Sequence, residues 1–103
     1  MDIIADTPSP PYYAVIFTSV LVAESGGYAQ VAERILSIAR QQPGFLGYES
    51  ARRDLQGISV SYWASLEAIQ AWRQHPAHLA VQRQADRWYA ESRIRVCKVE
   101  RSY

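Results

Sequence analysis

The first strong pattern along the chain is Tyr12 to Leu21, ten residues dominated by aromatic and β-branched side chains, which predicts a strand. Alternation places Tyr13, Val15, Phe17, Ser19 and Leu21 on one face and Tyr12, Ala14, Ile16, Thr18 and Val20 on the other. Both faces are largely apolar, so both need cover. Ser25-Gly26-Gly27 breaks the pattern. From about Tyr28 to Gln42 the apolar residues Tyr28, Val31, Ile35, Ile38 and Ala39 recur at three- and four-residue steps, which predicts an amphipathic helix ended by Pro43-Gly44. Phe45 to Arg53 reads as a second strand, Asp54 to Gly57 as a turn, and Ile58 to Trp63 as a third strand closing a hairpin.

Ser65 suits the N-cap of a short helix, with Glu67 in its first turn and Leu66, Ile69 and Trp72 on its buried side. Pro76 suits the first position of another helix running to about Tyr89. Arg93 to Arg101 completes the set as a strand, with Ile94, Val96, Cys97 and Val99 as its apolar members. Strand, helix, strand, strand, helix pair, strand is the split βαβ order of an α+β, ferredoxin-like domain. Such a sheet carries helices on one face only. Its other face, apolar on the first strand, is expected to meet a second copy of the chain as a homodimer.

Ahead of this domain (residues 12–103) stands an arm, residues 1–11, closing in Pro8-Ser9-Pro10-Pro11. The prolines make it an extended arm outside the core, either disordered or laid across a neighbouring subunit.

Composition narrows the function. With 103 residues the chain forms one domain with a genuine core, and a net charge of +1 gives no electrostatic reason to bind nucleic acid or a membrane surface. The ten arginines, against the single Lys98, are interleaved with acids. Cys97 is alone, which excludes an internal disulfide and is expected to be a buried thiol in a reducing compartment. No leader pattern and no run of roughly 20 apolar residues is visible, so a cytoplasmic protein is expected.

The chemistry concentrates in the third strand and in the two helical segments after it. Trp63 shares its strand face with Ser59 and Ser61, the lining suited to a planar aromatic ligand held by stacking and oriented by hydroxyls. Core packing is the favoured reading for Trp72 and Trp88, with Trp72, on the next helix, also placed to wall the same pocket. His75 precedes Pro76 and suits a helix cap, while His78 lies one turn into the helix. Either imidazole, with an ordinary pKa near ~6.5, can move a proton near neutral pH. Tyr48, Tyr62 and Arg83 are candidate donors to a substrate carbonyl or oxyanion. Two histidines across a helix start, with no third, make no common metal site, so no metal is expected. Glycine-rich phosphate loops, nucleophile elbows and paired cysteines are absent.

Three segments carry a family resemblance: Pro43-Gly44-Phe45-Leu46-Gly47, Ser61-Tyr62-Trp63-Ala64-Ser65-Leu66-Glu67-Ala68, and Trp72 through His78. On these the chain, over residues 12–101, resembles the antibiotic biosynthesis monooxygenase domain family, small proteins of the dimeric α/β-barrel class. The resemblance implies a cofactor-independent monooxygenase acting on a quinol-like or polycyclic aromatic, with no cofactor. Trp63 matches a tryptophan implicated in the quinone-forming members. The asparagine four residues before it and the tyrosine six residues after it in those members are here Ser59 and Ile69. In the haem-degrading members the tryptophan matches Trp72, and the haem-ligating histidine ten residues on is here Gln82. Since the family's partner residues are not matched, the roles come from the residues themselves: His78, Tyr48 and Arg83 as base or oxyanion donors, with Trp63, Ser59, Ser61, Tyr62, Trp72 and His75 lining the substrate. The alternatives are a non-catalytic small-ligand or stress-associated barrel protein, and a haem protein with His75 or His78 as an unconventional ligand.

Overall fold

The structure is a computed structural model, and it describes residues 3–103. Four strands, β1 (Tyr12–Leu21), β2 (Phe45–Arg53), β3 (Gln56–Trp63) and β4 (Tyr89–Val99), form one antiparallel sheet in the order β2-β3-β1-β4. The helices α1 (Tyr28–Ala39), α2 (Leu66–Arg73), α3 (Pro76–Gln82) and α4 (Ala85–Trp88) complete the α+β, ferredoxin-like arrangement expected from the pattern.

Register fixes what each face carries. Reading across the sheet, Tyr48 pairs with Ser61 and Ser61 with Val15; Ser50 pairs with Ser59 and Ser59 with Phe17; Arg52 pairs with Gly57 and Gly57 with Ser19. All these residues face the helices. Trp63, Trp72, Ile69 and Ala39 form the buried cluster where β3, α1 and α2 meet, with Tyr13, Val15, Ile35 and Phe45 packed around it.

Local chemistry sets the element ends. Pro43 stops the first helix, and Gly44 adopts a left-handed φ of 86° to turn the chain into β2. A side chain at Gly44 would also press on the Ala68 methyl, 2.6 Å from its first carbon, so the turn packs tightly under α2. Ser65 caps α2, its Oγ accepting from the Ala68 amide at 3.1 Å. The His75 Nδ1 does the same for α3, accepting from the Ala77 amide at 3.0 Å.

The sequence expectations need correction in six places. The first helix ends at Ala39 rather than Gln42. The hairpin connection is only Asp54 and Leu55, so Gln56 and Gly57 belong to β3. The helix expected from Pro76 to Tyr89 is broken near Gln84, and β4 begins at Tyr89, four residues ahead of Arg93, because Tyr89 pairs with Leu21. Leu66 is 51% exposed, since it starts α2 at the outer rim. Cys97 is exposed rather than buried, because β4 is an edge strand and Cys97 lies on its uncovered outer face.

The described part of the arm crosses that outer face at one end. The Ala5 amide donates to Glu49 Oε2 at 2.9 Å, and Thr7 hydrogen-bonds the Tyr12 hydroxyl at 2.8 Å. Gly47 leaves the room, since a side chain there would collide with Ala5. Beyond the arm Ile16 and Val60 are half-covered and Ile58 is 47% exposed, leaving an apolar stripe. No helix among the described residues is long and apolar enough to cross a membrane.

Candidate functional site

Between the helix-facing side of the sheet and the helices lies a cavity of about 300 Å³. Its floor is Val15, Phe17, Tyr48, Ser59 and Ser61, and α1 supplies the apolar roof through Val31, Ile35 and Leu36. Trp63 and Trp72 close one end and Trp88 and Tyr89 the other.

Trp63 is 1% exposed, so the same ring serves the core and walls the cavity. Trp72 lies nearly parallel to it, centroids 6.4 Å apart at 23°, and Phe45 meets it edge-on at 5.3 Å. The indole N–H of Trp63 donates to Ser61 Oγ at 2.9 Å. That bond locks the ring and leaves the Ser61 hydroxyl hydrogen for another acceptor.

His78 lines the cavity beside Trp72, their centroids 4.9 Å apart. Its Nδ1 lies 2.7 Å from the side-chain amide nitrogen of Gln82. Burial lowers its pKa below the ordinary value, and the neighbouring Arg73 and His75 charges act in the same direction against a backbone hydrogen bond at Arg73. The ring is therefore neutral near pH 7 and can accept a proton once Gln82 moves aside.

Of the residues nominated from the sequence, Trp63, Ser59, Ser61, Trp72, Tyr48 and His78 line this one cavity. Three do not. Tyr62 follows the alternation of β3 to the outer face, where it meets Tyr12 edge-on and donates to Glu49 Oε1 at 2.6 Å. Burial and that bond push its hydroxyl up to about 12, while the same bond, with the Ala5 amide, holds the Glu49 carboxyl below its usual range. His75 is spent as the cap of α3, and Arg83 is an exposed residue outside the lining.

The structure adds residues that the pattern did not single out: Arg73 and Gln82 beside His78, and Tyr28 and Tyr89 at the far end. The Tyr89 hydroxyl donates to that of Tyr28 at 2.9 Å, and burial raises its pKa well above the ordinary phenol. Arg73 and Gln82 were legible as residues close to His78 in the chain. Tyr28 was counted only as a helix-packing aromatic, and the pairing that brings Tyr89 under it depends on tertiary contact.

The comparisons agree with this architecture. The family model described as antibiotic biosynthesis monooxygenase matches residues 11–84. The uncharacterized protein YqjZ of Bacillus subtilis (strain 168) is 50% identical, over 98% of this chain and 90% of its own length. Among solved structures, SnoaB, a cofactor-independent oxygenase from Streptomyces nogalater, superposes with a TM-score of 0.79 at 14% identity, covering 90% of this chain and 97% of that one. PA3566 from Pseudomonas aeruginosa gives 0.75 at 13% identity, with 93% and 99% covered. At those identities the structural likeness concerns the fold.

Proposed function

The chain belongs to the antibiotic biosynthesis monooxygenase family, and we propose that it is a cofactor-independent oxygenase of a small quinol-like or polycyclic aromatic. The observation that carries this reading is the cavity. It is large enough for a planar ring, has parallel indoles at one end, and places hydroxyls and one neutral imidazole beside them. The structural neighbour SnoaB is described as a cofactor-independent oxygenase, which supports the same class of chemistry.

In this scheme Trp63 and Trp72 hold the ring against solvent, and Ser61, Ser59 and Tyr48 donate to its oxygen atoms. His78 takes a proton from an activated ring carbon, leaving a carbanion. Dioxygen accepts its electrons, a carbon–oxygen bond forms, and the protonated hydroperoxide loses water to give a carbonyl. The balance is R₂CH₂ + O₂ → R₂C=O + H₂O. Arg73, which lines the cavity where Arg83 does not, is the cation assigned to stabilise the developing charge. Oxygen uptake over a panel of hydroxylated aromatics tests the scheme. His78→Ala and Trp63→Phe proteins are expected to lose turnover, by about 100-fold for the base, and folded variants with full turnover would overturn the assignment.

A second reading, ligand binding without turnover, is favoured by one observation: the Trp63 N–H is already spent on Ser61. Calorimetric binding of an aromatic with no oxygen consumption would select it. We also propose that the outer face pairs with a second copy of the chain, because Ile16, Ile58 and Val60 form a stripe that the arm leaves uncovered. Light scattering should report a dimer that Ile58→Asp dissociates; a monomeric wild type would refute this. The exposed Cys97 thiol suits a reducing compartment, and we propose the cytoplasm.

A further inference from the structure

A second cavity of about 240 Å³ adjoins the first, sharing Phe17, Tyr28, Ala32, Tyr48 and Ser59 with it. Its polar end is built around Arg52. The guanidinium donates to the Leu55 carbonyl at 2.8 Å, to Ser19 Oγ at 3.3 Å and, through a long contact of 3.5 Å, to the Tyr28 hydroxyl. It also sits over the Tyr28 ring, 5.5 Å from the centroid. All its acceptors are neutral oxygens, and neither cavity has an aspartate or glutamate among its described lining residues.

Three details describe how this end is arranged. Gly57 is buried on the strand opposite Arg52 and has no left-handed φ, so the backbone does not demand glycine. A side chain there would instead collide with the Arg52 guanidinium, so glycine at 57 makes the room in which that group lies over the sheet. Ser19, 2% exposed, accepts from Arg52 and keeps its own hydroxyl hydrogen. The Tyr28 hydroxyl accepts from both Tyr89 and Arg52, which leaves its hydrogen for a third group. Donors from Arg52, Ser19 and Tyr28 thus converge at the end of an aromatic-lined space with no counter-charge among its described lining residues.

We propose that this end is an anion subsite and that the substrate is an aromatic acid, its ring in the first cavity and its carboxylate on Arg52, Ser19 and Tyr28. The proposal rests on the aromatic-substrate reading above. The guanidinium hydrogens not already given to Leu55, Ser19 and Tyr28 would each make a single charge-assisted bond to the carboxylate, and the Ser19 and Tyr28 hydroxyl hydrogens would complete its shell, which fixes the direction in which the ring lies along the floor. The ring edge remote from the carboxylate then points toward Trp63 and His78.

The test compares 2-naphthoate with 2-naphthol, matched in ring but anionic and neutral respectively at pH 7, by isothermal titration against the intact protein in low salt. The carboxylate is expected to bind about 10-fold more tightly, the scale of a charge-assisted pair. That preference should shrink as salt rises. In Arg52→Gln the two affinities should converge, and Arg52→Lys should keep only part of the difference, since an ammonium keeps the charge but not the planar set of bonds to Leu55, Ser19 and Tyr28 that holds it in place. Equal affinities in the wild type, or an undiminished preference in Arg52→Gln, would overturn the subsite. If 2-naphthol binds and the carboxylate adds nothing, the subsite fails alone. If neither binds, the aromatic cavity fails with it. A clear preference without oxygen uptake on any aromatic acid would leave the subsite standing and remove the oxygenase.

Discussion

The bond from the Trp63 indole to Ser61 Oγ, 2.9 Å long, joins the core to the cavity floor, and Ser61→Ala isolates it. Trp63 is 1% exposed, so a replacement for the lost oxygen can come only from water in the cavity that the ring walls. An unsatisfied buried donor costs about 1–3 kcal/mol, which is the upper bound here. The serine side chain itself contributes little apolar packing, so nearly all of that loss belongs to the indole. For a domain of this size each kcal/mol lowers the melting temperature by about 4–8 °C. The control is Trp63→Phe, which removes the donor and most of the ring. In that background Ser61→Ala should cost far less, leaving a coupling energy of about 1 kcal/mol or more between the two positions. Urea unfolding followed by far-ultraviolet circular dichroism measures all four proteins, at one protomer concentration so that any association is held constant. If Ser61→Ala costs the same with phenylalanine at 63 as with tryptophan, the bond contributes nothing and the ring is held by packing alone.

Two further outcomes concern groups whose titration the fold alters. Glu49 is held below its usual range, so its bonds to Tyr62 and the arm stabilise the protein above about pH 4.5, and that contribution is lost as pH falls through the folded value. Tyr62→Phe should therefore cost about 1 kcal/mol or less at pH 7, after allowance for solvent screening, and the gap between the two urea midpoints should narrow by pH 3; a gap that does not change with pH would refute the Glu49–Tyr62 bond. His78 is depressed by burial, so full stability lies above the unfolded value near 6.5 and falls as pH drops from there toward the folded value. Proton magnetic resonance of the His78 ring should give a midpoint below 6.5, and one at or above it would show that the ring is solvated and not in the cavity.

Periodicity gave the element order, and parity gave the grouping of Ser59, Ser61 and Trp63. Parity also argues against Tyr62, which neighbours Trp63 on one strand and must face the other way; its hydroxyl chemistry drew attention that its position does not support. What the pattern concealed was set by tertiary contact. Ala85, Trp88 and Tyr89 continue a helical period, yet Tyr89 pairs with Leu21 and starts β4, which folds Trp88 and Tyr89 against Tyr28. Gly57 invites a turn assignment because glycine is common in turns. The turn needs only Asp54 and Leu55, with Asp54 taking the left-handed φ of 55°. Placing Gly57 in the loop hid its pairing with Arg52, and with it the one arginine on the helix-facing side of the sheet whose room depends on a glycine.

The cavity itself is a statement about stability. The helix-facing side of the sheet carries small residues among the larger Val15, Phe17 and Tyr48: Ser59 and Ser61 under the first cavity, and Ser50, Gly57 and Ser19 under the second. Large aromatics stand at both ends, Trp63 and Trp72 at one and Tyr28, Trp88 and Tyr89 at the other. The aromatics hold the helices off the sheet, and the small floor residues do not fill the gap. A closed apolar void of about 300 Å³ would cost up to about 7 kcal/mol. That is comparable to the whole net stability of a typical domain, about 5–15 kcal/mol. Opening to solvent and the floor hydroxyls let water in, which reduces that cost. Leucine or valine at 59 or 61 would close the space by simple packing, and the Trp63 to Ser61 bond shows that one of these hydroxyls is already committed to holding a cavity wall in place. A floor arranged in this way leaves packing unmade at the place where the proposed ligand would lie.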